Sequence, residues 1–359
     1  MKPFGGVFAP LIVPLERRLQ TAAVFFYIFM FLITPLPSLL LPAYIFFFTP
    51  FCLFDSLKYS PLIIFSTRWL SLLYLLWMFW DRDVGHRGGR PSAFFQNHVV
   101  WRYFVAYFPI KLIKTTELPA DRNYIFGAHP HGVLSLANFA SFCTNATNFR
   151  EIFPGIRCSA VTLASMFYFP LRRELVVGSG AITSDRASIE YLLRGSDGRG
   201  NTGRAVCIVV GGAEEALNSH SNNFDLKLSS RRGFVRLALA HGASLVPVYH
   251  FGETSAFYQL SNERGSRLRH FQTVFKNRFG FSPPLFFGRG IFNHMFGVLP
   301  YRTPINTVVG APIFVEKCDA PTSEQVDALH ARYCCELAQL FDTHKTRYGI
   351  DENTRLNIC

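Results

Sequence analysis

Apolar positions are distributed in two regimes along this chain. In the first, residues 21–54 carry no charge and are crowded with Phe, Leu and Ile, a stretch longer than the roughly 20 residues one spanning helix needs. Pro35, Pro37, Pro42 and Pro50 interrupt it, and a proline inside a helix breaks or kinks it. The pattern predicts two short apolar arms, residues 22–34 and 38–54, meeting at Pro35–Pro37 as a membrane hairpin, either re-entrant or as two tilted spans. Arg17 and Arg18 before it and Lys58 after it place both ends on the cytosolic side. A second run, Trp69–Trp80, is too short to span, and Trp69, Tyr74, Trp77 and Trp80 are of the types favoured at headgroup level. It reads as an interfacial helix or one tucked against the body. At Asp81–Arg90 charge and glycine take over. The expected organisation is a cytosolic segment 1–20, a hairpin 21–54, an interfacial segment and linker 55–84, and a cytosol-facing body 85–359.

In the second regime short apolar runs alternate with helical spacing. Tyr124–Phe126, Val206–Val210, Ser244–Tyr249 (with Pro247 interrupting it) and Ile305–Val309 read as strands, and Ser188–Leu193 and Gly233–Ala240 as helices. The last helix is the clearest. Thr322 can cap it with Gln325 at the capping-box position, and Val326, Leu329, Tyr333, Leu337 and Leu340 keep its spacing to Lys345. Alternation of this kind predicts an α/β fold, a mixed sheet covered by helices.

Composition changes this picture in two ways. The apolar fraction is 49% and Phe is densest in the uncharged stretch 21–54, which holds 9 of the 38, while the net charge of +12 is mostly a property of the body. A basic surface beside a membrane suits anionic headgroups or a polyphosphorylated substrate; no nucleic-acid module is recognisable, which argues against that class. The eight cysteines form no CxxC pair, a reduced, cytosol-facing pattern rather than a disulfide framework or zinc site.

The candidate chemistry begins at Tyr124-Ile-Phe-Gly-Ala-His-Pro-His-Gly-Val133. In an extended backbone His129 and His131 would point into one space, while Pro130 stiffens the link and Gly127 and Gly132 allow close approach. Val210-Gly-Gly-Ala-Glu-Glu215 leaves a second strand, bends at Gly211 and Gly212 and presents two carboxylates, one of which could orient an imidazole during proton transfer. Arg231 and Arg232, with Arg172 and Arg173 and more weakly Arg289, could hold phosphates. A metal hydrolase could also use His-x-His, but His241, His250 and His294 sit in no matching motif; no metal is expected.

These residues, with Tyr107-Phe108-Pro109, Arg122-Asn-Tyr-Ile-Phe-Gly127, Leu245-Val-Pro-Val-Tyr249, Phe251-Gly-Glu253, Gly288-Arg-Gly290 and Val308-Val-Gly310, resemble the diacylglycerol O-acyltransferase type 2 family over residues 85–350. The resemblance implies a glycerolipid-acyltransferase-like fold and acyl transfer from acyl-CoA, a co-substrate rather than a cofactor, to a glyceride hydroxyl. It places the chain at the endoplasmic reticulum membrane and lipid droplets, with homo-oligomerisation open. Diacylglycerol is the first expected acceptor; monoacylglycerol or a long-chain alcohol is the alternative, and a lipid-binding scaffold the non-enzyme one. His129-Pro130-His131-Gly132 matches the catalytic motif, with His131 ranked ahead as base and Glu215 as its orienter, and Tyr107-Phe108-Pro109 matches a motif that shapes the site. Position 128 is Ala where relatives commonly carry Tyr, and no acid stands four residues after either histidine, since those places are Val133 and Ser135.

Overall fold

The computed structural model describes residues 13–48, 61–194, 202–263, 265–280, 283–291 and 296–359. Its centre is a seven-stranded sheet. In chain order the strands are β1 Lys111–Lys114, β2 Tyr124–His129, β3 Arg157–Thr162, β4 Ile182–Thr183, β5 Arg204–Val209, β6 Ser244–Phe251 and β7 Asn306–Val309. They lie in the order β1-β7-β6-β2-β5-β3-β4. All neighbours are parallel except β7 and β6, so the sheet is mixed, as expected. β2 and β6 are buried along their whole length because helices cover both faces. The strand β6 runs through Pro247 without a break. The antiparallel ladder to β7 begins only at Val248, and the Pro247 carbonyl accepts from the Gly310 N–H.

Alternation along the strands sorts the core into two layers. Phe126, Ala128, Val246 and Val248 face one layer with the helix Val99–Tyr107 and the segment Leu136–Cys143. Ile125, Val206, Leu245 and Tyr249 face the other, under the helices Gly233–His241 and Ser323–His344. The Ser323–His344 helix begins with the expected capping box between Thr322 and Gln325.

The N-terminal arms differ in detail from the expectation. The helix Leu15–Ile28 continues through a π-helical turn, Phe29–Ile33, into a second helix, Pro35–Phe48. Together they bend by 68°, because Pro35 and Pro37 cannot extend the preceding hydrogen-bond ladder. Among the described residues no single helix is long and apolar enough to cross a membrane; this bent pair passes by length and composition. Residues 49–54 of the second arm, and Lys58, lie outside the described residues. The first arm also belongs to the body's core. Ala23, Val24, Tyr27 and Ile28 are buried against Trp101 and Phe104 of the helix Val99–Tyr107 and against Phe139. By contrast Leu39, Leu40, Leu41, Tyr44, Phe46, Phe47 and Phe48 are exposed. The run at Trp69–Trp80 is the second half of a longer helix, Pro61–Trp80, with Trp69, Leu70, Leu73, Leu76, Phe79 and Trp80 exposed.

Candidate active site

The turn after β2 sits at the carboxyl end of the parallel strands, where sites collect in α/β sheets. His129 is the last residue of β2 and is fully buried; the His129–Pro130 peptide is cis. Register places His129 opposite Tyr249, on the layer of the Ser323–His344 helix, and Tyr333 of that helix reaches it. Tyr333 Oη lies 3.1 Å from His129 Nε2 and donates to the Gly127 carbonyl at 3.0 Å. With its own proton committed there, Tyr333 accepts from His129 Nε2–H. The helix packs this closely because residue 127 is Gly: a Cβ there would stand 2.0 Å from Tyr333 Oη.

His131 is held differently, so the two imidazoles are not equivalent. Its ring Nδ1 lies 3.0 Å from the Gly132 carbonyl. A carbonyl only accepts, so the neutral ring carries its proton on Nδ1 and keeps the Nε2 lone pair free. His131 is partly exposed, whereas His129 is sealed in. Burial lowers both: His131 falls below 6.5 and His129 to about 3, so both rings are neutral near pH 7.

Two buried glutamates grip the turn from opposite sides. Glu215, in the short helix Gly212–Ala216 after β5, accepts from the His131 backbone N–H through Oε2 at 3.0 Å and from the Lys227 N–H through Oε1 at 2.9 Å. The expected contact to an imidazole is replaced by one to the peptide, since both carboxylate oxygens are engaged by backbone donors. Gly211 makes room for this carboxylate, as a Cβ there would meet Glu215 Cδ at 1.8 Å, and Gly212 takes φ +55°. Glu253, just beyond β6, accepts from the Leu136 and Ala137 N–H groups at 2.8 and 2.9 Å, capping the helical segment that leaves the turn. A Cβ on Gly132, which has φ +66°, would collide with Glu253 Oε1 at 2.4 Å. Burial pushes both carboxyls up to about 7. The sequence contained the signal for Glu253 in Phe251-Gly-Glu253, but nothing local ties that residue to a turn some 120 residues earlier. His250, which sequence reasoning considered only as a metal ligand and set aside, is a further buried imidazole. Its Nδ1 lies 2.9 Å from Thr307 Oγ1, and its Nε2 has no partner among the described residues.

The remaining predicted residues separate. Tyr107 and Phe108 are buried at the joint between the Val99–Tyr107 helix and the sheet edge. Tyr107 Oη donates to the Pro300 carbonyl at 2.6 Å, and the Phe108 carbonyl accepts from the Ile305 N–H. Phe108, Phe104 and Phe139 form an aromatic chain from this joint to the helical segment after the turn, so Tyr107-Phe108-Pro109 meets the turn through packing alone. Arg289 and Arg302 both approach Tyr107.

Arg172 and Arg173 do not face a phosphate site. Arg173 is 1% exposed and pairs with Asp81 at 2.5 Å and Glu174 at 3.0 Å beneath the Trp77 ring. Arg172, also buried, bonds to Met166 Sδ and the Phe31 carbonyl and stacks on Phe169. Both join the N-terminal helices to the body. Arg232 pairs with Asp327. Arg231, however, belongs to a cluster with Lys227 and Lys276, which converge on Glu214 at 3.7, 3.9 and 3.7 Å. Three cations around one carboxylate leave a local excess of positive charge one residue from Glu215.

The family model described as "Diacylglycerol acyltransferase" matches residues 62–359. The chain is 46% identical to a protein of Bos taurus named 2-acylglycerol O-acyltransferase 1, over 97% of this chain and 98% of that protein. It is also 46% identical to diacylglycerol O-acyltransferase 2 of Xenopus tropicalis, over 81% of this chain and 80% of that one. Among solved structures, the 1-acyl-sn-glycerophosphate acyltransferase of Thermotoga maritima aligns with 91% of this chain and 97% of its own, at a TM-score of 0.38 and 11% identity.

Proposed function

The chain belongs to the diacylglycerol acyltransferase family and is an acylglycerol O-acyltransferase, and from that premise we propose that it uses acyl-CoA as donor and His131 as general base. The observation that carries the mechanism is the Nδ1 contact of His131 with the Gly132 carbonyl, which leaves Nε2 as an unprotonated acceptor. His131 Nε2 takes the proton of the acceptor hydroxyl as its oxygen attacks the thioester carbonyl. The tetrahedral intermediate collapses, the carbon–sulfur bond breaks, and the CoA thiolate leaves and is protonated by the imidazolium. No acyl-enzyme is required. His129 supports the turn from below through Tyr333. Glu215 positions the base by holding its peptide.

The preferred acceptor is a 2-acylglycerol, because the relatives of that name align over 97% of this chain, including the N-terminal helices, against 81% for those named for diacylglycerol. Diacylglycerol, first in the sequence reading, is the second acceptor. The exposed apolar faces of the helices Pro35–Phe48 and Pro61–Trp80 support a membrane location, which the family reading assigns to the endoplasmic reticulum and to lipid droplets. The cluster Lys227, Arg231 and Lys276 is the site we assign to the phosphates of CoA.

Purified protein in detergent, given labelled oleoyl-CoA and a panel of acceptors, tests this reading. His131→Ala abolishes transfer to every acceptor while expression and membrane association persist; a variant that keeps turnover removes His131 as base. Lys227→Ala with Arg231→Ala raises KM for acyl-CoA and flattens its dependence on salt. An unchanged KM takes the cluster out of the donor site.

A further inference from the structure

Arg157 and Arg204 are the first residues of β3 and β5, and they are direct cross-strand partners in the parallel ladder. Like charges placed opposite one another on neighbouring strands repel. Neither has an ion-pair partner among the described residues, and the Arg204 guanidinium is held below its usual range by burial and by Arg157. Both line a cavity of about 740 Å³, together with Arg87 and Arg150. Arg150 is bonded to Gln96 Oε1 at 2.7 Å, and Arg87 reaches only a distant, exposed Asp83 at 4.0 Å. No acidic residue is among the described residues lining the cavity, whose remaining wall includes Phe142, Phe149 and Tyr191. The cavity opens where the sheet leaves a free edge: β4 pairs only with Val161 and Thr162, so the first half of β3 has no neighbour on that side.

We propose that this cavity is a second anion site, which binds a phosphate-bearing ligand between Arg157 and Arg204. A tetrahedral dianion placed between two guanidinium forks turns the repulsion of the pair into two bidentate contacts, with Arg87 and Arg150 at the rim. The site is distinct from the one at the turn. Arg204 is level with Asn123, just before β2, and His129 ends that strand, a separation of six residues, or about 20 Å along the strand direction. One wall, from Arg87 to Gln96, directly follows the apolar helix Pro61–Trp80, so a phosphate headgroup of a membrane lipid is the source assigned to it. That choice of source rests on the membrane location proposed above; the anion site itself does not depend on His131.

The test uses the full chain in detergent, with three probes: inorganic phosphate, CoA, and mixed micelles of phosphatidylcholine with and without phosphatidic acid. Phosphatidic acid in the micelles raises the thermal midpoint by at least about 2 °C over phosphatidylcholine alone. Arg204→Gln and Arg157→Gln lose this ligand-dependent rise, yet without ligand their midpoints equal or exceed that of the wild type, because the like-charge pair is gone. A CoA-dependent rise that survives Lys227→Ala with Arg231→Ala and is lost in Arg204→Gln keeps the anion site and makes the nucleotide its source. A rise with none of the probes, or a rise that persists in both arginine variants, overturns the proposal. So does a ligand-free midpoint that falls in both variants, which marks the pair as ordinary packing. His131→Ala retains the rise, so loss of the proposed catalytic base and loss of this site are read separately.

Discussion

At the scale of single residues, the difference between the two histidines of the turn is a matter of hydrogen-bond partners. Sequence spacing makes them a pair, but the ladder ends at His129, which is opposite Tyr249 and bonded to Tyr333, while His131 has left the strand. A base must be neutral to accept a proton, and burial holds His131 below 6.5. Activity is therefore full above that lowered value and falls as pH drops through it. A limb of kcat/KM set by His131 lies on the acid side of the ordinary imidazole range, and Glu215→Gln separates it from a limb set by the Glu215 carboxyl: a limb that persists in Glu215→Gln at or above the ordinary imidazole range would exclude His131 as the group that titrates. Glu215 is pushed the other way, to about 7, and acts through the peptide it holds. Glu215→Gln keeps one acceptor oxygen where two backbone donors need one each, leaving a buried N–H unsatisfied at a cost of about 1–3 kcal/mol. Turnover is expected to drop at least tenfold with little change in KM for acyl-CoA; wild-type turnover in that variant would remove Glu215 from the positioning of the base.

At the scale of elements, what could be read from the sequence was what periodicity records. The runs at residues 124, 206, 244 and 305 are strands β2, β5, β6 and β7, and the capped helix at Thr322 is where its spacing puts it. β1, β3 and the two-residue β4 are absent from that reading. Lys111–Lys114 has charged ends, and Arg157–Thr162 mixes Arg, Cys, Ser and Thr with two apolar residues, so neither shows the apolar run that marks a buried strand. The arginines show a complementary failure. Arg172 and Arg173 look like a phosphate fork in sequence, yet each faces inward because Asp81 and the Phe31 carbonyl come from distant segments to meet them, beside the nearby Glu174 and Met166. Lys227 and Lys276, which complete the cation cluster around Glu214, belong to no motif at all. Pairings of this range are set by topology, and no local pattern carries them.

At the scale of the whole molecule, the anchor and the body were legible as composition, and the boundary between them was drawn where charge returns at Asp81. Packing draws a different line. The helix Leu15–Ile28 has an outer face continuous with the bent apolar pair and an inner face in the main core, where Tyr27 Oη donates to the Leu134 carbonyl at 3.1 Å, two residues past Gly132. After Thr21 its sequence is apolar on both sides, so nothing there announces which side meets protein. For anyone who would trim this enzyme into a detergent-free form, the consequence is severe. Cutting before Asp81 discards Val24, Tyr27 and Ile28 from the interior, at about 1.5–3 kcal/mol for each large apolar side chain. That sum is comparable to the roughly 5–15 kcal/mol by which a folded domain outweighs its unfolded chain. The first helix is a wall of the folded body.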